Sequence, residues 1–171
     1  MILVAYDGSA DAHSAIDRVA RLMPGATTTV LSVWEPYVNM LARTGALGMG
    51  MSVGSAGTYA DAQRIDAANR ERALEKATEG AGRATAAGLV AEARCEGREG
   101  DVANTVLVVA AAVDADLVVV GTRGLGGVRS FLLGSVSHAL VQHADRVVMV
   151  VPSPALAAER HEHVRSIRAP A

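Results

Sequence analysis

Residues 115–124 read Ala-Asp-Leu-Val-Val-Val-Gly-Thr-Arg-Gly, and the way this stretch is built decides the class of fold. Leu117–Val120 is apolar at every position. It lacks the polar alternation of a strand with one wet face, so both of its faces must be covered. The glycine that follows lets the backbone turn, or approach another group closely. Outward from this segment, four more short β-branched runs stand out: Ile2–Tyr6, Thr28–Trp34, Leu89–Cys95 and Val147–Val151. Helical spacing fills the gaps between them. Ala12, Ala15, Ile16, Val19, Ala20 and Met23 make one face of a helix that starts near Ser9 or Asp11, either of which can cap it, and stops at Pro24-Gly25. A long polar helix from about Ala60 to Ala86 turns Ala67, Leu74, Ala77, Ala81 and Ala84 inward. A third helix carries Val102, Val106, Val109, Ala110 and Val113, and a fourth opens at Gly134-Ser135 with Val136, Ala139, Leu140 and His143. Strands alternating with helices predict βαβ units, hence an α/β fold with a parallel sheet.

The 171 residues suit one domain, expected over residues 1–152. Half of them are apolar but few are aromatic, so Ala, Val and Leu must build the core. Two segments stand outside the pattern. Residues 38–59 hold five glycines (Gly45, Gly48, Gly50, Gly54 and Gly57) with no period, and read as a mobile loop beside the ligand. Residues 153–171 follow Pro152 and read as a loose tail with at most one helical turn. Sixteen basic groups against eighteen acidic ones, a net charge of −2, argue for neither a nucleic-acid nor a membrane-surface partner. The apolar stretch Val102–Gly121 is broken by Asp114 and Asp116, which opposes a membrane span. The start of the chain is strand-like with no basic region before it, unlike a signal peptide. The lone Cys95 excludes an intramolecular disulfide and a Cys-rich zinc site. A cytoplasmic location is the expectation.

Open α/β sheets bind ligands beyond the carboxyl ends of their strands, where the strand order reverses. The first strand ends in Asp7-Gly8-Ser9, and the fourth in Gly121-Thr122-Arg123-Gly124, with Gly134-Ser135-Val136-Ser137 opening the next helix. Gly121 and Gly124 let backbone pass close to a ligand. Free N–H groups at the helix start attract phosphate, the Ser135 and Ser137 hydroxyls add donors, and Arg123 and Arg129 bring positive charge. This makes a phosphate cradle without lysine. The same spacing also suits two glycines that end a strand and a Gly-Ser helix cap.

The spacing Gly-x2-Gly-x9-Gly-Ser at Gly121, Gly124, Gly134 and Ser135 resembles the ATP-binding signature of the universal stress protein family. The lead-in at 115–120, the Asp7-Gly8-Ser9 turn and the closing Val147–Pro152 strand resemble that family too. The resemblance implies a five-stranded parallel sheet of order 3-2-1-4-5, Rossmann-like and similar to the adenine nucleotide alpha hydrolases. It also implies a homodimer paired through the last strand, and ATP with Mg²⁺ as the ligand. By the same resemblance Ala5 and Val120 wall the pocket and the Val33 backbone faces the adenine. Asp7 lies near the ribose and phosphates or holds the metal, and Gly121, Gly124, Gly134, Ser135 and Val136 hold the ribose and phosphates. A regulatory role in stress adaptation, through binding rather than turnover, is what it implies. Three alternatives stay open: slow ATP hydrolysis or phosphoryl transfer, an AMP or cyclic-AMP sensor, and an interaction protein with a structural nucleotide.

Other chemistries find little support. A Walker A loop needs Gly-Lys-Ser or Gly-Lys-Thr, yet the single lysine, Lys76, follows Glu75. Gly124 and Gly126 begin a Gly-x-Gly-x-x-Gly motif that Arg129 breaks, and no Gly-x-Ser-x-Gly elbow is present. His13, His138 and His143 read as surface or packing residues, Cys95 as packing, and His161-Glu162-His163 lacks a third ligand.

Overall fold

The computed structural model describes residues 1–43, 59–124 and 133–168. Five strands alternate with six helices among them: β1 Ile2–Ala5, α1 Ala10–Leu22, β2 Thr27–Trp34, α2 Tyr37–Arg43, α3 Tyr59–Ala86, β3 Val90–Gly97, α4 Val102–Ala112, β4 Leu117–Gly121, α5 Ser135–His143, β5 Val147–Val151 and α6 Pro154–Arg168. All strand pairings are parallel and the order is β3-β2-β1-β4-β5, as the family resemblance implied. Val4 pairs with Val30 on one side and Val119 on the other, which places the order reversal between β1 and β4.

Side-chain parity splits the interior in two, because successive residues of a strand face opposite sides. Ile2, Val4, Tyr6, Val30 and Val119 pack under α1 and α3, against Ile16, Val19, Ala81 and Ala84. Leu3, Leu31, Val118 and Val120 pack under α4 and α5, against Val106, Ala110 and Leu140. Both faces of Leu117–Val120 are covered, so its unbroken apolar run has its explanation.

Three expectations are corrected. The inner face of α3 is Ala73, Ala77, Gly80, Ala81 and Ala84, whereas Ala67 and Leu74 are exposed. The cause is close approach: a Cβ at Gly80 would lie 2.9 Å from Val30 and 3.0 Å from the Tyr6 ring, so only small residues fit between helix and sheet. The supposed loop begins with a helix, α2. Pro36, whose ring fixes φ near the helical value, stands just before it, the Tyr37 N–H donates to Asp66 (2.6 Å), and the Asn39 side chain donates to the Arg98 carbonyl (3.0 Å). The glycines at 45–57 lie outside the described residues. The supposed tail is the helix α6, with Pro154 as its first residue, where the missing N–H costs nothing, and Leu156 buried. Proline there starts a helix instead of marking a break.

Candidate functional site

The turn after β1 is built around Asp7. Its Oδ1 accepts the Ser9 N–H (2.9 Å), and Gly8 takes φ +81°, a conformation that favours glycine. Ser9 then caps α1, accepting the Ala12 N–H (3.2 Å). The alternative cap, Asp11, has another task. It is buried, and its Oδ2 accepts the Arg123 N–H (3.0 Å), tying α1 to the segment that leaves β4.

Each glycine of the spaced set meets a different neighbour, and none of the three is among those with positive φ. A Cβ at Gly121 would lie 2.7 Å from the Asp11 Cβ and 2.9 Å from its carbonyl carbon, so α1 presses on the end of β4. A Cβ at Gly124 would lie 2.6 Å from the Asp7 Oδ2. A Cβ at Gly134 would lie 3.1 Å from the Thr122 carbonyl, which accepts both the Gly134 N–H (2.8 Å) and the Ser137 hydroxyl (2.9 Å). Ser137 is buried and its hydroxyl is engaged in that bond, so it fastens α5 to β4 and is no free donor to a ligand. Gly134 provides no side-chain cap to α5, which leaves first-turn N–H groups available at the mouth of the site.

The adenine-side expectation falls on Val33. The Leu31 carbonyl accepts the Tyr6 N–H (2.8 Å), and the Trp34 carbonyl accepts the Arg98 N–H (2.8 Å). Alternate residues of a parallel strand address alternate neighbours, so Val33 turns its backbone toward β1. That strand has already ended at Ala5, and the Tyr6 carbonyl accepts the Ser32 hydroxyl (2.7 Å). Val33 therefore presents a backbone edge that no described residue pairs on that side, and it lines the cavity at the strand ends.

These parts enclose a cavity of about 750 Å³ at the carboxyl end of the sheet. Ala5, Asp7, Val33, Val120, Gly121, Arg123, Gly124, Gly134, Ser135, Val136 and Ser137 all line it. Arg129 lies outside the described residues. One end is apolar (Ala5, Leu31, Val102, Val106, Val120), and the other collects the Asp7 carboxylate, Arg123 and the start of α5. Thr122 is fully buried, and its hydroxyl has no partner among the described residues. Among the lining residues, Tyr6, Thr122, Asn69, Arg72 and Lys76 carried no site reading in the sequence. A signal for the last two existed. Asn69, Arg72, Ala73 and Lys76 recur at helical spacing on α3 and continue the stripe that leads to Gly80.

Beneath the cavity the Tyr6 hydroxyl donates to Glu79 (2.6 Å), whose other oxygen is 3.5 Å from His13 Nε2. Burial first, then the hydrogen bond and negative charge of Glu79, push the Tyr6 phenol well above its ordinary value. His13 is thus a packing partner of Tyr6, with ring centres 5.7 Å apart. Among the described residues no group of three His, Cys, Asp or Glu side chains is placed to hold a metal. No described helix is long and apolar enough to cross a membrane.

The model of the universal stress protein family matches residues 1–152. The chain belongs to this family. It is 32% identical over 154 residues to a universal stress protein of Thermus aquaticus, spanning 88% of this chain and 96% of that one. Some mycobacterial relatives are longer, and the chain spans 47% of a universal stress protein of Mycobacterium tuberculosis. Its fold is similar to that of a universal stress protein solved in complex with cAMP, with a TM-score of 0.58, 23% identity, and 89% and 96% of the two chains covered. A family protein of Arabidopsis thaliana with AMP bound gives 0.56, 18%, 90% and 92%.

Proposed function

We propose that this chain is an ATP-binding member of its family that acts in stress adaptation through nucleotide binding. The observation that carries the reading is the Val33 edge, a backbone N–H and C=O on the β1 side without a partner among the described residues, at an apolar cavity end. Such a pair offers the donor and acceptor that the edge of an adenine ring needs, between the walls Ala5 and Val120. At the other end Gly121, Gly124, Gly134, Ser135 and Val136 hold the ribose and phosphates, with the first-turn N–H groups of α5 and Arg123 balancing their charge. The Asp7 carboxylate fits Mg²⁺, which binds through one or two carboxylates together with the phosphates. Gly124 leaves room beside Asp7 Oδ2 that a Cβ would fill.

The protein works by binding, not turnover. Asp7 and Glu35 are the cavity's carboxylates among the described residues; Asp7 is taken up by the Ser9 N–H and the Mg²⁺ proposed above, and Glu35 pairs with Arg98 at 3.1 Å, so neither is left to activate water. A second reading, an AMP or cyclic-AMP sensor, is favoured by the ligands of the two solved relatives. The assembly is a cytoplasmic homodimer paired through β5, an edge strand whose Val147 is exposed. Calorimetric titration with ATP, AMP and cyclic AMP, followed by chromatography of the ATP after long incubation, tests the function. Tight binding of intact ATP supports it. Binding of AMP or cyclic AMP alone supports the sensor, and ADP accumulation refutes a pure binding role.

A further inference from the structure

The long helix α3 runs back against the strands, as a crossover between parallel strands must. It is anchored at Gly80, against Tyr6 and Val30. Lys76 lies four residues nearer its start, which at 1.5 Å per residue is about 6 Å beyond Tyr6, level with the Asp7 turn. Arg72 lies one turn farther out. Between them Ala73 is buried, so this face of the helix is held against the cavity, and both Arg72 and Lys76 line it. Neither makes a hydrogen bond or ion pair among the described residues, unlike Arg83 farther along α3 and Arg98 after β3. Glu71 and Glu75 beside them do not line the cavity. Arg123 and the start of α5 lie at the glycine end, so positive charge reaches the cavity from α3 as well as from β4 and α5. One phosphate group seated at α5 leaves the α3 cations uncompensated, whereas a di- or triphosphate can engage both.

We propose that Lys76 and Arg72 form a second anion-binding arm that makes the pocket prefer nucleoside di- and triphosphates over monophosphates and cyclic monophosphates. This rests on the adenine-nucleotide reading of the cavity. Lysine and arginine serve the task differently, Lys76 as a mobile point charge and Arg72 as a planar fork. Both are exposed, so each contributes like a solvent-screened pair, about 5-fold in affinity.

The test is calorimetric titration of ATP, ADP and AMP into the full chain and into Lys76→Met, Arg72→Met and the double variant, at two salt concentrations. Met keeps the aliphatic stem and the helix propensity of both positions. The arm predicts that the double variant loses about 20-fold in ATP affinity while AMP affinity changes by less than about 2-fold, from the same per-pair estimate. It also predicts a weaker salt dependence for ATP. Lys76→Arg should retain most of the ATP affinity. Equal losses for ATP and AMP, or an unchanged ATP affinity in the double variant, overturn the arm but leave the cavity reading intact. A parent chain that binds none of the three nucleotides overturns both.

Discussion

Gly121 and Gly124 stand three residues apart and should fail in opposite ways when given a methyl group. In Gly121→Ala the new Cβ would lie 2.7 Å from the Asp11 Cβ, 2.9 Å from the Asp11 carbonyl carbon and 3.1 Å from the Ala12 nitrogen. Carbon atoms prefer to sit about 3.5–4.0 Å apart, so α1 and β4 must separate by roughly 1 Å. Overpacking of this kind costs about 1–3 kcal/mol. The same separation strains the Asp11–Arg123 hydrogen bond, a bond to a charged group worth about 1.5–3 kcal/mol. Restricting the unfolded chain returns about 0.4–1 kcal/mol, which leaves a net loss of about 2–5 kcal/mol. For a chain of this size that lowers the Tm by about 4–20 °C. In Gly124→Ala the close neighbour is Asp7 Oδ2, at 2.6 Å, the end of a side chain that can rotate away. The fold should lose less than about 1 kcal/mol, one ordinary hydrogen bond, while the displaced carboxylate costs ATP affinity, most with Mg²⁺ present. Urea melts and calorimetric titrations of the two variants read both quantities. A Gly121→Ala protein as stable as the parent refutes the packing argument. A Gly124→Ala protein that binds ATP and Mg²⁺ like the parent refutes the role given to Asp7.

Gly82→Ala should act in the opposite direction from Gly121→Ala: nothing lies within 4 Å of a Cβ there, and the helix interior favours alanine by about 0.8–1.0 kcal/mol, a gain that thermal melts resolve. The Tyr6 phenol is raised in the fold above its ordinary value of 10.0, so its neutral form is the one the fold favours. The stability linked to it is fully present below pH 10.0 and is lost as the pH climbs through the folded value. Melting temperatures should therefore fall as the pH rises above 10, and Tyr6→Phe should flatten that fall while costing about 0.5–1.5 kcal/mol at neutral pH for the lost bond to Glu79. An identical alkaline slope in Tyr6→Phe would exclude Tyr6 as its source. Sedimentation should find a mass near twice 17.6 kDa, and a charge placed at Val147→Asp, the exposed residue of β5, should yield monomers; a monomeric parent removes the proposed pairing.

What the chain discloses before folding is what local period and strand-end chemistry carry. The apolar run at Leu117–Val120 and the stripe Ala12, Ala15, Ile16, Val19 were legible, because burial on two faces and on one face leaves different patterns. The glycines pointed to a crowded place, but their identity does not say what crowds them. Gly121 is pressed by the backbone of α1, Gly124 by the Asp7 side chain and Gly134 by the Thr122 carbonyl. Leu74 misled because leucine ordinarily marks an inner face, whereas α3 lies too near the sheet for anything larger than alanine. The prolines after β5 read as the start of a loose tail, although Pro154 stands where proline starts a helix. Arg72 and Lys76 carried no site reading, since only the packing of Gly80 on Tyr6 brings their turn of helix to the strand ends.

The central claim is that an adenine nucleotide binds at the carboxyl end of this sheet, between β2, β4 and α5. Backbone amide shifts of the isotope-labelled protein, followed during titration with ATP, test it most directly because they report place as well as affinity. The account predicts saturable changes concentrated at Asp7–Ser9, Val33–Trp34, Gly121–Gly124 and Gly134–Ser137, with α6 and the β3 edge unmoved. Absence of saturable change, or changes centred on the small hollow between Asp101, Leu107 and His143, would contradict it.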